Sequence, residues 1–183
     1  MPYYNEDSIE VLIDEDTLQK RIRELGVQIT ADYTDGRPVV LVGVLKGSFL
    51  FLADLCRSID LPLEVDFLGL SSYGDSQETS GVVRVTQDLS RPIDDKHVIV
   101  VEDIVDTGLT MSYLLNNLAT RNPASVRVAS LLHKPARAQV QVPIDYLGFE
   151  IPDRFVVGYG LDYKNKLRNL SFIGVNIGST DPF

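Results

Sequence analysis

Leu18, Ile22, Leu25 and Ile29 recur at steps of four, three and four, which predicts one apolar helical face. The turn-forming run Asp35-Gly36-Arg37-Pro38 ends that element. The pattern then changes. Val39 to Leu45 is a continuous apolar run, as expected of a strand covered on both faces in a parallel sheet. Ser48 to Ile59 predicts a helix with Phe49, Leu52, Leu55 and Cys56 turned inward. Strands are expected over Leu63–Leu70 and Val82–Val85, separated by a polar loop at 71–81. A further strand, His97–Val101, leads through an acidic loop into a helix from Leu109 to Arg121 and a strand from Val126 to Leu132. Tyr146–Phe149 and Phe155–Val157 read as short late strands. Strands alternating with helices predict an α/β fold with a mainly parallel sheet. No repeat or linker divides the chain, so 1–183 is expected to be a single domain.

Composition narrows the function. The 183 residues are 44% hydrophobic and 23% charged, enough apolar material for a core without staples. The net charge of −9 disfavours nucleic acid as a partner, because duplex affinity rests on Lys and Arg. Cys56 is the single cysteine and Met1 to Asp7 lacks a secretory pattern, so a cytoplasmic location is expected. The nearly uncharged stretch 38–53 is broken by Lys46 and falls short of a membrane span of about 20 residues, so no membrane association is expected.

The candidate chemistry lies after the strand at 97–101. Glu102 and Asp103 stand side by side, Asp106 follows in the loop, and Thr107-Gly108-Leu109-Thr110 opens the next helix. In open α/β sheets ligands bind beyond the carboxyl ends of strands. A helix N-terminus there offers free N–H groups to a phosphate. Acids beside a phosphate site would repel it unless they face sugar hydroxyls or a magnesium ion. Together these residues ask for a phosphorylated sugar and a metal. Singly, Asp106 or Thr107 would be read as a helix cap, with Glu102 and Asp103 solvated. Neither a Walker A loop nor a dinucleotide fingerprint is present.

The segment Val98-Ile99-Val100-Val101-Glu102-Asp103-Ile104-Val105-Asp106-Thr107-Gly108-Leu109-Thr110 closely resembles the phosphoribosyl-diphosphate motif of the type I phosphoribosyltransferases. Its form is similar to that of the hypoxanthine (guanine) members. Val44-Leu45-Lys46-Gly47-Ser48 resembles their pyrophosphate loop, and Ser72-Tyr73 falls where they carry a flap. Leu131-Leu132-His133-Lys134 and Phe155-Val156-Val157-Gly158-Tyr159-Gly160-Leu161-Asp162 resemble their purine-recognising segments. The likeness runs from about Ile9 to Ile177.

The resemblance implies the type I fold: a mainly parallel sheet flanked by helices, a mobile flap near 71–81, and a small hood built from the N-terminal segment and residues near 150–183. It implies Mg2+-dependent purine salvage, in which phosphoribosyl diphosphate and a 6-oxopurine, hypoxanthine or guanine, give the monophosphate and pyrophosphate. Glu102 and Asp103 would hold ribose hydroxyls and magnesium, and Thr107, Gly108, Leu109 and Thr110 would wrap the 5′-phosphate. Lys46, Gly47 and Arg168 would contact pyrophosphate, and a non-proline cis peptide before Lys46 is among the geometries the resemblance allows. Lys134 would reach the purine O6, Phe155 would stack on the base, the Val156 backbone would read its edge, and Asp162 would help hold a second magnesium. Ser72 and Tyr73 would belong to the flap.

Asp106 would accept the proton at N7. An ordinary aspartate titrates near pH ~4, low for a general base, so either burial raises it or orientation and charge are its contribution. Two departures stand out. Leu109 replaces a lysine some relatives carry, and His133 precedes the purine lysine where an aliphatic residue is common. A homodimer or homotetramer is implied. The rivals are a xanthine- or guanine-preferring relative and a phosphoribosyl-diphosphate-binding regulator of nucleotide metabolism that keeps the fold but binds RNA or DNA, which the net charge of −9 disfavours. Asp106, Lys134 and Asp162 favour catalysis.

Overall fold

The computed structural model describes residues 8–72 and 83–177. The helix expected around Leu18–Ile29 is α1, Glu15–Asp32, capped by the Asp14 carboxylate accepting from the Thr17 amide at 2.8 Å. The run after the turn is β2, Val39–Leu45, with β1, Ile9–Ile13, preceding α1. Then come α2 (Phe49–Ser58), β3 (Leu63–Ser72), β4 (Val83–Gln87) and β5 (His97–Val105). The chain ends with α3 (Leu109–Ala119), β6 (Ser125–His133), β7 (Tyr146–Glu150), β8 (Val156–Val157) and β9 (Ile173–Asn176).

Six strands form the main sheet in the order β4-β3-β2-β5-β6-β7, parallel throughout except for the antiparallel edge strand β4. The two apolar runs occupy its centre, and their alternate residues feed two cores. Val39, Leu41, Ile99 and Val101 pack with α1 and α2 on one face. Val40, Val42, Val98 and Val100 pack with Met111, Leu114 and Leu118 of α3 on the other. Burial on both faces is why these strands show no polar alternation. A second sheet, in the order β1-β9-β8, is antiparallel and brings Ile9–Ile13 beside Ile173–Asn176, two of the segments from which a hood is expected.

Several expectations change. The strand expected to stop at Val101 continues through Val105, so Glu102 and Asp103 lie within β5. The late strand at 155–157 joins the small sheet and contributes only Val156 and Val157. In α2, Phe51 is 0% exposed while Phe49 is 39% exposed, so the inward face starts two residues later than expected. Ser48, whose hydroxyl donates to the Val44 carbonyl at 2.6 Å, is buried at the helix start and sets that rotation. The expected flap at 71–81 lies mostly outside the described residues. Tyr73 is among those outside, and Ser72 ends β3, paired with Val83. No helix among the described residues is long and apolar enough to cross a membrane.

The reassigned α2 face is testable by denaturant unfolding. Phe51→Ala should lose about 3–5 kcal/mol, as for other buried aromatic truncations, and Phe49→Ala less than about 1 kcal/mol. The reverse order would contradict the helix rotation.

Candidate active site

The parallel strands β2, β5 and β6 end side by side, so the loops after Leu45, Val105 and His133 meet at one edge. Successive residues of a strand face opposite sides. Glu102 and Asp103 therefore diverge: Glu102 faces the α3 side and Asp103 the opposite face.

On the α3 side, a cavity of about 110 Å³ is lined by Glu102, Ile104, Val105, Asp106, Thr107, Gly108, Thr110 and Met111. Gly108 is the capping residue just before α3, with φ +81°, and a side chain there would strike the Val140 carbonyl. No side chain caps α3, and its first turn carries no acid. Asp106 and Thr107 are thus not helix caps. Only the weak 3.4 Å contact from the Leu109 amide reaches the Thr107 hydroxyl. The helix amides and dipole at this end are open to an anion. Thr107, Gly108 and Thr110 line this cavity; Leu109, the first residue of α3, does not.

On the opposite face, a cavity of about 340 Å³ is lined by Asp103, Ile104, Asp106, Lys134, Arg137, Phe155, Val156, Leu161 and Asp162. Lys134 is only 7% exposed, and its ammonium lies 3.6 Å from Asp153. Phe155 is 57% exposed, so it is not a core residue; it meets Tyr163 edge-on at 6.0 Å. That leaves a ring face for a planar ligand to stack on. The Val156 side chain is buried, leaving its backbone as the group that can face a ligand. Asp106 lines both cavities.

Between the two, the loop after β2 approaches Asp103. The Leu45–Lys46 peptide is cis, and Lys46 is exposed. A side chain at Gly47 would overlap the Asp103 carboxylate, so only glycine allows this contact. Gly160 lies against the Gly47 carbonyl and donates to the Arg168 carbonyl at 2.8 Å. Arg168 in turn donates to the Gly160 carbonyl at 2.7 Å and pairs with Asp162 at 2.6 Å. Lys46, Gly47 and Arg168 therefore belong to one neighbourhood.

The acids are electrostatically unsettled. Glu102 Oε2 is buried with no hydrogen-bond partner among the described residues. Burial, then the charge of Asp103, holds the Glu102 carboxyl well above the usual carboxylate range. Burial also raises Asp103, opposed by the hydrogen bond it accepts from the Ile104 amide at 2.9 Å. The unpartnered Glu102 oxygen on the α3 side and the Asp103 carboxylate on the opposite face can each face a hard divalent cation that takes its other ligands from a substrate, one on each side of the sheet. Asp162 does not join them: it is held by Arg168 and accepts from the Asn165 amide at 2.8 Å. Among the described residues no cluster of three or more metal-ligating side chains forms.

The Phosphoribosyl transferase domain family matches residues 12–164. The chain belongs to the phosphoribosyltransferases. A hypoxanthine phosphoribosyltransferase of Haemophilus influenzae is 49% identical over 168 residues, covering 91% of this chain and 94% of that protein. A hypoxanthine-guanine phosphoribosyltransferase of Mycobacterium tuberculosis is 49% identical over 176 residues, 93% and 87% of the two chains. The crystal structure of a Staphylococcus aureus hypoxanthine phosphoribosyltransferase superposes with a TM-score of 0.89 at 43% identity, covering 93% and 92%. The mainly parallel sheet with flanking helices is the type I phosphoribosyltransferase fold.

Sequence reasoning missed Arg137, Asp153, Ile104 and Leu161. Ile104 and Leu161 are of core type and carry no signal of a cavity wall. Arg137 and Asp153 are ordinary surface types, and only their closeness in space to Lys134 and Asp106 marks them. The two histidines are far apart in role: His97 bonds Ser125 at 2.7 Å and Asp35 at 3.0 Å, while His133 lies 4.0 Å from Glu150.

The raised Glu102 carboxyl has a pH signature. Its folded-state proton affinity exceeds the unfolded value of about 4.5, so its favourable contribution holds below that value and is lost as pH rises through the folded one. Glu102→Gln should therefore melt above the unliganded wild type at neutral pH, by about 2–4 °C per kcal/mol recovered, with a gap that widens from pH 5 to 8. Parallel melting curves would contradict the raised value.

Proposed function

We propose that this phosphoribosyltransferase moves the phosphoribosyl group of phosphoribosyl diphosphate to a 6-oxopurine, hypoxanthine or guanine, releasing pyrophosphate. The carrying observation is that Asp106 lines both the cavity at the α3 N-terminus and the cavity holding Lys134 and Phe155. One carboxylate thus sits where a ribose phosphate on one side would meet a base on the other. The named relatives act on hypoxanthine or hypoxanthine and guanine, in line with this reading.

In the proposed reaction the purine N9 lone pair attacks C1 of the ribose while the bond from C1 to the pyrophosphate oxygen breaks, and the N7 proton passes to Asp106. The α3 amides and Thr107 to Thr110 hold the 5′-phosphate. Lys46, the Gly47 backbone and Arg168 take the departing pyrophosphate, opposing the negative charge that develops on it. Lys134 donates to O6, which an adenine amino group, itself a donor, cannot accept. Glu102 and Asp103 are the residues that would hold Mg2+, with Asp162 on the far wall. The ion would supply charge neutralisation for the ribose and pyrophosphate oxygens. Ser72 and Tyr73 complete the proposal as flap residues that exclude water from the reacting sugar. A homodimer or homotetramer, a cytoplasmic location and a single catalytic domain over 1–183 belong to the same proposal.

Incubation with phosphoribosyl diphosphate, Mg2+ and single purines should yield IMP from hypoxanthine, with adenine at least about a hundredfold poorer. No monophosphate from any oxopurine would overturn the proposal. Asp106→Asn should lower kcat by about 10²–10⁴ while phosphoribosyl-diphosphate affinity stays within about threefold. Equal loss of both would refute the proton-acceptor role.

A further inference from the structure

We infer that Arg137 is a positioning residue for the purine half of the site, fixing Asp106 and, through Asp153, Lys134; this rests on the transferase reading above. Arg137 Nε lies 3.0 Å from Asp106 Oδ1, and its Nη1 lies 3.7 Å from Asp153 Oδ1. The same Asp153 oxygen lies 3.6 Å from the Lys134 ammonium. The result is a chain of alternating charge, Asp106, Arg137, Asp153, Lys134, whose two ends are the groups assigned to N7 and O6 of one base.

The backbone fixes the geometry of this chain. Lys134 donates its amide to the Val105 carbonyl at 3.0 Å, and the Arg137 amide returns to the Lys134 carbonyl at 3.1 Å. That closes a single 3-10 turn, Pro135–Arg137. Beyond it, the Gln139 and Val140 amides donate to the Thr107 carbonyl at 2.9 and 3.1 Å. Segment 134–140 is therefore fastened at both ends to the loop that carries Asp106, and Arg137 projects from its middle.

Asp106 Oδ1 is buried and makes no hydrogen bond among the described residues, so its contact with Arg137 is a charge contact. The Asp106 side chain is nonetheless 35% exposed, so the accessible part of the carboxylate is the Oδ2 side. Arg137 thus holds one oxygen and leaves the other to face the base. Arg137 and Asp153 are themselves about half-exposed, and such pairs contribute little to folding stability. The contribution expected of them is to binding geometry.

The test is steady-state kinetics and melting of wild type, Arg137→Gln, Arg137→Lys, Asp106→Asn and the Arg137→Gln/Asp106→Asn double variant. Arg137→Gln should raise KM for hypoxanthine about tenfold, leave KM for phosphoribosyl diphosphate within about twofold, and melt within about 2 °C of wild type. Arg137→Lys, which keeps the charge, should recover part of the loss. In the Asp106→Asn background the same change should have a clearly smaller effect than in wild type, the remainder being the part transmitted through Asp153 to Lys134. Unchanged hypoxanthine kinetics in Arg137→Gln, equal loss toward both substrates, or full additivity with Asp106→Asn would each overturn the role. A wild type that turns over no oxopurine would instead refute the transferase reading, and this inference with it.

Discussion

Two acids, Glu102 and Asp103, sit partly buried in the second half of β5, a strand whose first half is covered on both faces. Most of the site follows from that constraint. Neighbouring residues of β5 must face opposite sides of the sheet, so the pair straddles it and gives each face one carboxylate. Among the described residues no partner meets Glu102 Oε2, and burial keeps that carboxyl well above the ordinary range. The strand could not carry these acids without the apolar runs that bury Val98 to Val101 in its first half. The same hydrophobic pattern that builds the core thus creates a site with unsatisfied charge at its edge.

Everything around the acids is fixed by close backbone approach. Asp103 reaches the loop after β2 only because residue 47 lacks a side chain. Gly160 presses on the same loop from the opposite direction, with Arg168 fastening it. Tyr159, between Gly158 and Gly160, anchors this arm by donating its hydroxyl to Asp54 of α2. Burial and the neighbouring Asp54 charge raise the Tyr159 phenol, so it remains a donor across the physiological range. The segment 134–140 is tied to 105–107 in the same way. Groups that are to meet a substrate are therefore in place before it arrives, which is what electrostatic preorganisation requires.

What could be read from the sequence was governed by how local the signal is. The unbroken runs in β2 and β5 announced strands buried on both sides, and Asp106-Thr107-Gly108 announced a strand-to-helix phosphate loop, because strand, turn and helix follow within a few residues. In α2, Leu52, Leu55 and Cys56 face the core as expected and only Phe49 is misplaced, because four apolar residues stand in a row at 49–52 and leave open which of them begins the inward face. The buried Ser48, bonded back to Val44, decides it. The hood strands β1 and β9 pair residues such as Ile9 and Asn176, a separation no periodicity reveals. Phe155 looks like core in sequence and is exposed in the fold, since β8 turns it toward the cavity. Arg137 and Asp153 gain meaning only from closeness in space.

The most direct test of the buried acid pair is calorimetry of Mg2+ and phosphoribosyl diphosphate binding to wild type and Glu102→Gln in buffers of differing ionisation enthalpy. If the pair holds a proton that the bound cation displaces, the wild type should release more protons than Glu102→Gln near neutral pH, by up to about one per site. Identical proton release by the two proteins would mean that Glu102 is already ionised in the empty site, and would contradict the account.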